Sequence, residues 1–251
     1  MGRFVVRGEK MNSQLNDRKW YKSVLTIRTD GYGNKQVDKS YQFSRGPLGK
    51  YFMVLAAHEY RMLKAVEGLD FTPQAIALSS DSLPSVTYGL VEGVSVKEQA
   101  DRNRLPQDFF PRLLADVKAL HARGVAHMDL GNSGNVLVSV DGSPAIIDFG
   151  AALPLNRLPA PLRRWACRQD IVGVLKLWFR FEPETMPAEL VEYYQTHYRK
   201  NVFTPKRFVK AVRRKLTGDR SAEDRSGLAI TVSVIVGLLL LMSMSVSLSS
   251  V

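Results

Sequence analysis

The sequence predicts an α+β fold in which a small antiparallel sheet precedes a mainly helical part, with a transmembrane helix at the C-terminus. Three observations support this prediction. Strand patterns are concentrated in the first third of the 251 residues, helical spacing dominates after about residue 94, and residues 226–251 carry no charge. A change from sheet to helix along one chain predicts two lobes with a cleft between them.

The first third begins with a β-hairpin pattern. Residues 24–29 are rich in β-branched side chains, residues 30–34 form the turn sequence Asp-Gly-Tyr-Gly-Asn, and residues 35–41 alternate in polarity. Apolar residues then recur at helical spacing from residue 48, and Gly68 stands where this helix would end. A hairpin followed by one helix is therefore expected.

The rest of the chain shows shorter strands and longer helices. The sequence Asp141-Gly142 between two apolar runs is a strong hairpin signal. In chain order we expect strands at 74–78 and 86–91, a helix over 105–124, hairpin strands at 136–140 and 145–147, and helices over 170–179 and 187–197.

The composition constrains the cellular setting. The formal net charge is +11, and a single cysteine excludes an intramolecular disulfide and a cysteine-based zinc cluster. Residues 228–244 are almost entirely apolar, and residues 206–215 carry six basic and no acidic side chains. This order predicts a tail anchor with the bulk of the chain in the cytoplasm, on the inner membrane. A buried C-terminal helix or self-association is the alternative, and nucleic-acid binding is unlikely because no such module is visible.

Two motifs flank the predicted second hairpin. His127-Met-Asp-Leu-Gly-Asn-Ser-Gly-Asn135 precedes it, and Ile146-Ile-Asp-Phe-Gly150 follows it. They resemble the catalytic and metal-binding loops of the protein-kinase-like superfamily. The resemblance implies a two-lobed kinase-like fold, with ATP and Mg²⁺ as cofactors.

The residue types suit phosphoryl transfer. A carboxylate must orient the acceptor hydroxyl and receive its proton, which is the position of Asp129. Hard oxygen ligands must hold Mg²⁺, and Asn135 and Asp148 stand at those positions. Asn135 lies one position further from Asp129 than in the usual pattern, so Asn132 is an alternative ligand. We favour Asn135 because it directly precedes the strand.

The superfamily also requires a lysine for the phosphates and a helix glutamate that holds it. Lys39, at the end of the hairpin's second strand, is the preferred lysine, with Lys22 and Lys35 as rivals, and Glu59 is the glutamate. Asp170 resembles the helix aspartate that braces the catalytic loop. Exposed strand or helix charges are the alternative interpretation of all these residues.

Within the superfamily, the chain most resembles bacterial lipopolysaccharide kinases that act on Kdo or heptose. The resemblance covers residues 20–180 and depends on residues 39–48, 58–63, 91–93 and the two motifs. A glycine-rich phosphate loop is not evident, since Gly31-x-Gly33 lacks a third glycine. An Ala-Pro-Glu segment is also missing after Asp148, which favours a saccharide or glycolipid acceptor over a peptide.

The expected activity is therefore transfer of the γ-phosphoryl group of Mg-ATP to a hydroxyl of a lipopolysaccharide core sugar. Basic residues near the cleft, Arg157, Arg163 and Arg164, could meet an anionic acceptor. A Ser/Thr protein kinase and a membrane-tethered pseudokinase scaffold are the alternatives. The expected organisation is an N-lobe at 1–93, a C-lobe at 94–205, a basic juxtamembrane segment at 206–226 and a transmembrane tail at 227–251.

Overall fold

An antiparallel sheet and a group of helices give the chain the α+β class expected from its sequence. The computed structural model describes residues 23–41, 46–79, 83–102 and 104–198. The described residues as far as His197 belong to one compact unit.

The first hairpin is confirmed. Strands β1 (Val24–Thr29) and β2 (Lys35–Ser40) pair with Leu25 opposite Lys39. The carboxylate of Asp30 accepts hydrogen bonds from two backbone amides of the turn. The sheet is completed by β3 (Ala77–Ser79) and β4 (Ser85–Gly89) in the order β1-β2-β4-β3. Strand β2 therefore lies in the interior of the sheet, and β1 forms its exposed edge.

Helix α1 (Gly46–Val66) contacts β3 and β4. Its buried face is a stripe at intervals of three and four residues, and the backbone turns out of the helix at Gly68, where φ is +86°. Only glycine adopts this left-handed conformation without strain. The buried members of the stripe are Phe52, Ala56, Glu59, Leu63 and Val66.

The remaining elements include two long helices that an aromatic contact joins. Phe110 stacks on Trp178, with ring centroids 5.4 Å apart, and thereby joins two long helices. Strand β7 is the middle strand of a three-stranded sheet in the order β5-β7-β8. The elements are β5 (Gly93–Ser95), α2 (Val96–Arg102), α3 (Phe109–Ala122), β6 (Val125–Ala126), β7 (Val136–Ser139), β8 (Pro144–Ile146), β9 (Leu153–Pro154), α4 (Ala160–Phe181) and α5 (Ala188–His197).

Several features differ from the sequence prediction: helix α2 was not expected, and the strand predicted at 74–78 lies at Ala77–Ser79. Helix α4 begins at Ala160, ten residues before the predicted start at Asp170. The prediction missed its first turns because they are mostly exposed and carry no apolar stripe. Strands β5, β6 and β9 were not predicted. They contain two or three residues each, which is too short for alternation to be recognised.

The predicted C-terminal segments, at 206–226 and 227–251, lie outside the described residues. Within the part of the chain that the structure describes, no helix is long and apolar enough to cross a membrane.

Candidate active site

Lys39 is almost fully buried on strand β2, although it is a lysine. Its Nζ donates a hydrogen bond to Glu59 Oε1 at 2.8 Å and another to Asp148 Oδ1 at 2.9 Å. We call these three residues the ion cluster. It brings together a strand, helix α1 and the residue that follows the second hairpin.

Glu59 reaches the ion cluster because it occupies the middle of the apolar stripe of α1 and is 0% exposed. A buried carboxylate needs a cation or donors to offset its lost hydration, and Lys39 supplies this. The other oxygen, Oε2, has no hydrogen-bond partner among the described residues. It faces Gly150, where an added Cβ would lie 3.5 Å away. The cluster therefore keeps one buried acceptor unused.

The charges of the ion cluster are mutually supported. Burial alone would lower the pKa of Lys39, but the carboxylates of Glu59 and Asp148 outweigh it and raise the pKa well above its ordinary value. Burial raises the pKa of Asp148, yet the Lys39 ammonium brings the net pKa below its ordinary value. For Glu59, burial is the larger effect, so its pKa is raised despite Lys39. The cluster therefore holds a lysine whose pKa is raised between two carboxylates, of which Asp148 has a lowered pKa and Glu59 a raised pKa.

The 127–135 loop is held by one buried carboxylate on helix α4. Asp170 accepts hydrogen bonds from the backbone amides of His127 and Met128, each at 2.7 Å. The ring of His121, on α3, donates to the same carboxylate at 3.0 Å. Met128 has a φ of +67°, which is unusual for a side chain with a Cβ. Asp170 therefore fixes the backbone directly before Asp129.

Asp129 itself is exposed, but it is oriented by its neighbours. Asn135 Nδ2 donates to the Asp129 backbone oxygen at 3.1 Å and to Asp129 Oδ2 at 3.0 Å. Asn132, the alternative ligand, is exposed and donates to Asn135 Oδ1 at 3.2 Å. Asn132 also donates to Asp129 Oδ2 at the longer distance of 3.5 Å, so Asn135 is the buried asparagine with the shorter contact to the carboxylate.

The ion cluster and the 127–135 loop meet at the open end of the β7–β8 hairpin. The Ile147 amide donates to the backbone oxygen of Asn135 at 3.0 Å, and the ring of His127 donates to the backbone oxygen of Ile147 at 3.0 Å. Phe149 packs edge-on against the same ring. Asp148, between these anchored residues, has a left-handed φ of +68°. Both predicted metal-binding residues thus lie at one end of one hairpin.

The rival lysines do not join this arrangement. Lys35 is exposed and pairs with Glu92 at 3.0 Å, and Lys22 lies outside the described residues. The turn that contains Gly31 and Gly33 lies at the other end of the hairpin from Lys39. Lys39 is the lysine that the fold brings to Glu59 and Asp148.

Sequence reasoning missed two histidines that position the site. His58, beside Glu59, donates from Nε2 to the backbone oxygen of Ala152 at 2.8 Å. It therefore ties α1 to the segment after Asp148. His121 contacts Asp170, as described above. His58 stood next to a predicted site residue, whereas nothing in the local pattern distinguished His121.

The oxygen donors suit a magnesium ion. Asp148 and Asn135 offer a carboxylate and an amide, the hard ligands that Mg²⁺ prefers, and Mg²⁺ is commonly bound through one or two protein ligands together with phosphate oxygens. Among the described residues, no group of three or more His, Cys, Asp or Glu side chains could hold a metal ion.

Comparison with known proteins gives no family assignment. The chain matches no protein-family model, and no curated protein is significantly similar to it.

Proposed function

We propose that this chain is a kinase of the protein-kinase-like type, which transfers the γ-phosphoryl group of Mg-ATP to a hydroxyl. The observation that carries the proposal is the ion cluster. A buried lysine that contacts two carboxylates from distant parts of the chain is costly for the fold unless the charge is used. The resemblance of the two motifs supplies the chemistry that would use it.

The ion cluster would bind the phosphates of the nucleotide. Lys39 is held by Glu59, so its ammonium is positioned before any ligand arrives. Asp148 Oδ1 contacts the same ammonium, and its side chain is 44% exposed. The Asp148 carboxylate can therefore meet a ligand from the solvent side while Lys39 remains fixed.

Asp148 and Asn135 would hold Mg²⁺ together with phosphate oxygens. A bound Mg²⁺ would neutralise the charge that develops on the transferred phosphoryl group. In this assignment Asn135 orients Asp129 through its amide nitrogen and offers its amide oxygen to the metal, so one side chain serves both functions.

Asp129 would be the base that orients the acceptor hydroxyl and accepts its proton. Its Oδ2 accepts the hydrogen bond from Asn135, and Oδ1 has no hydrogen bond among the described residues. The carboxylate is exposed, while the backbone before it is fixed by Asp170. A rigid backbone with an accessible carboxylate suits a general base.

The sheet offers an apolar surface for the base of the nucleotide. Leu25 is paired with Lys39 and Ile27 with Val37, and paired residues on adjacent strands share one face of a sheet. Leu25 and Ile27 are 44% and 42% exposed. A planar aromatic base stacked on these side chains would cover them, with its phosphates directed toward Lys39.

The proposed acceptor is a sugar hydroxyl of an envelope glycolipid, as in the lipopolysaccharide kinases that the sequence resembles. The segment between Asp148 and α4 is short, since only the residues from 149 to 159 separate them. This leaves little chain to form a platform for a peptide, which favours the saccharide over a Ser/Thr protein kinase. The proposed location is the cytoplasmic face of the inner membrane, through the predicted tail.

The test is transfer of labelled γ-phosphate from ATP, measured with the full-length protein and lipopolysaccharide core acceptors, together with ATP consumption. We expect Asp148→Ala and Asp129→Ala each to lower turnover at least about 100-fold, because one removes the proposed magnesium ligand and the other the proposed base. Asp101→Asn, an exposed acid on α2, is the matched control. Turnover that survives both alanine variants would refute the assignment. Mg-ATP binding without transfer to any acceptor would indicate the pseudokinase scaffold.

A further inference from the structure

The segment between the ion cluster and the middle of α4 is strongly basic. Residues 149–169 contain four arginines and no acidic residue. All four arginines are exposed. We call them the basic face: Arg157, Arg163, Arg164 and Arg168.

The arginines of the basic face differ from many other basic residues of the chain. Among the described residues, none of the four forms an ion pair. Arg157 also lies near His58 and Arg61: burial lowers the pKa of both groups, and the charge of Arg157 lowers it further. Arg157 therefore lies close to a second cation, Arg61. Elsewhere, Arg28, Lys35, Lys64, Arg102 and Arg112 each pair with a carboxylate.

The segment that carries the basic face packs against the residue that precedes the candidate base. Leu158 and Trp165 pack in the same apolar cluster as Met128, the residue before Asp129. Leu162, in the first turn of α4, is 51% exposed. This exposed apolar side chain thus lies in the same helical turn as Arg163 and Arg164.

We propose that the basic face docks the catalytic unit on an anionic lipid surface, with Leu162 inserted among the headgroups. Arginines without acidic neighbours complement a negatively charged leaflet, and an apolar side chain among them suits the interface between headgroups and acyl chains. If the apolar run at 228–244 anchors the chain, as its sequence predicts, the anionic surface within reach of the basic face is that of the bilayer.

The experiment uses the full-length chain with an environment-sensitive fluorophore on a single cysteine. In a Cys167→Ser background, Leu162→Cys places the label on the basic face, and Tyr32→Cys places it on a turn that is 94% exposed. Vesicles of phosphatidylcholine are compared with vesicles that also contain phosphatidylglycerol. We expect a several-fold gain in emission at position 162 on the anionic vesicles only, and little change at position 32.

A charge variant tests the arginines themselves. Replacing the four residues of the basic face by glutamine is expected to remove most of the gain at position 162, as is raised ionic strength. Each basic residue near an anionic surface contributes about a fivefold change in binding, so four together exceed about 100-fold. The matched control removes four exposed basic residues elsewhere: Lys50→Gln, Lys97→Gln, Arg104→Gln and Lys118→Gln. This control variant should keep the gain in emission at position 162.

Three results would overturn the proposal: equal responses at positions 162 and 32, an undiminished response in the charge variant, or a response to polyglutamate but not to vesicles. The last result would indicate an acidic protein partner. Thermal unfolding of the charge variant should match the parent, since these arginines are exposed. Docking requires no phosphoryl transfer, so its failure leaves the proposed kinase activity standing, and loss of that activity leaves docking standing.

Discussion

The ion cluster and the 127–135 loop are built by different means, although they meet at one hairpin. The cluster joins side-chain charges that are 20 and 109 residues apart in the chain. The loop is held by hydrogen bonds within a short stretch of sequence and by one carboxylate, Asp170, which accepts from its backbone. One half depends on charges and the other on backbone amides, so the two should respond differently to substitution.

The largest loss of stability is expected from a substitution that frees the 127–135 loop. Asp170→Ala leaves the buried amides of His127 and Met128 without an acceptor and should lower the free energy of unfolding by about 4 kcal/mol. Denaturant unfolding measures this loss. Asp170→Asn, which keeps one acceptor oxygen, should lose less. Equal stability of Asp170→Ala and the parent would show that this carboxylate does not hold the loop.

A substitution in the ion cluster should cause a smaller loss of stability, and a second substitution should reverse it. Lys39→Met leaves Glu59 buried without its cation and is expected to lower the free energy of unfolding by about 3 kcal/mol. The double variant Lys39→Met/Glu59→Leu removes both buried charges and should lie within about 1 kcal/mol of the parent. Both proteins should have lost ATP turnover. A double variant that is no more stable than Lys39→Met would contradict the view that pairing sets this cost.

His58 is the next residue to test, because it joins α1 to the segment after Asp148. His58→Ala should lower the free energy of unfolding by about 1 kcal/mol and raise KM for ATP more than it lowers kcat. Burial lowers the pKa of His58 below its ordinary 6.5, and nearby Arg61 and Arg157 lower it further.

The lowered pKa gives the His58 contribution a pH dependence. Below pH 6.5 the unfolded chain binds a proton that the folded chain does not, so the stabilisation is complete above that pH and is lost as the pH falls toward the folded pKa. His58→Gln, which can keep the hydrogen bond to Ala152, should lack this component of the acid loss. The same acid profile in parent and variant would contradict the assignment.

The smallest change in stability is expected at the turn between β1 and β2. An added Cβ at Gly31 would have nothing within 4 Å, and the turn lies at the other end of the strand from Lys39. Gly31→Ala should therefore change the free energy of unfolding by less than about 0.5 kcal/mol and leave KM for ATP unchanged. A large rise in KM would show that this turn contacts the phosphates after all.

The same comparison explains what the sequence could predict. Asp129, Asn135 and Asp148 lie in short motifs around one hairpin, so spacing alone indicated that they would be near each other. Glu59 was expected only because the resemblance requires a helix glutamate, and its burial in the apolar stripe of α1 emerged from the structure. Lys39 was preferred over Lys22 and Lys35 for its place at the end of the second strand, but its burial could not be predicted because it depends on β4 and α1. His121 and the early start of α4 also depend on tertiary packing.

The separation of 109 residues between Lys39 and Asp148 also has a consequence during synthesis. A growing chain contains Lys39 and Glu59 long before Asp148 and Asp170 leave the ribosome. Glu59 can pair with Lys39 early, but the 127–135 loop has no acceptor for its amides until α4 has been made. A product truncated before α4 therefore has half of the site and no oriented Asp129, and the two halves first coexist once α4 has been made.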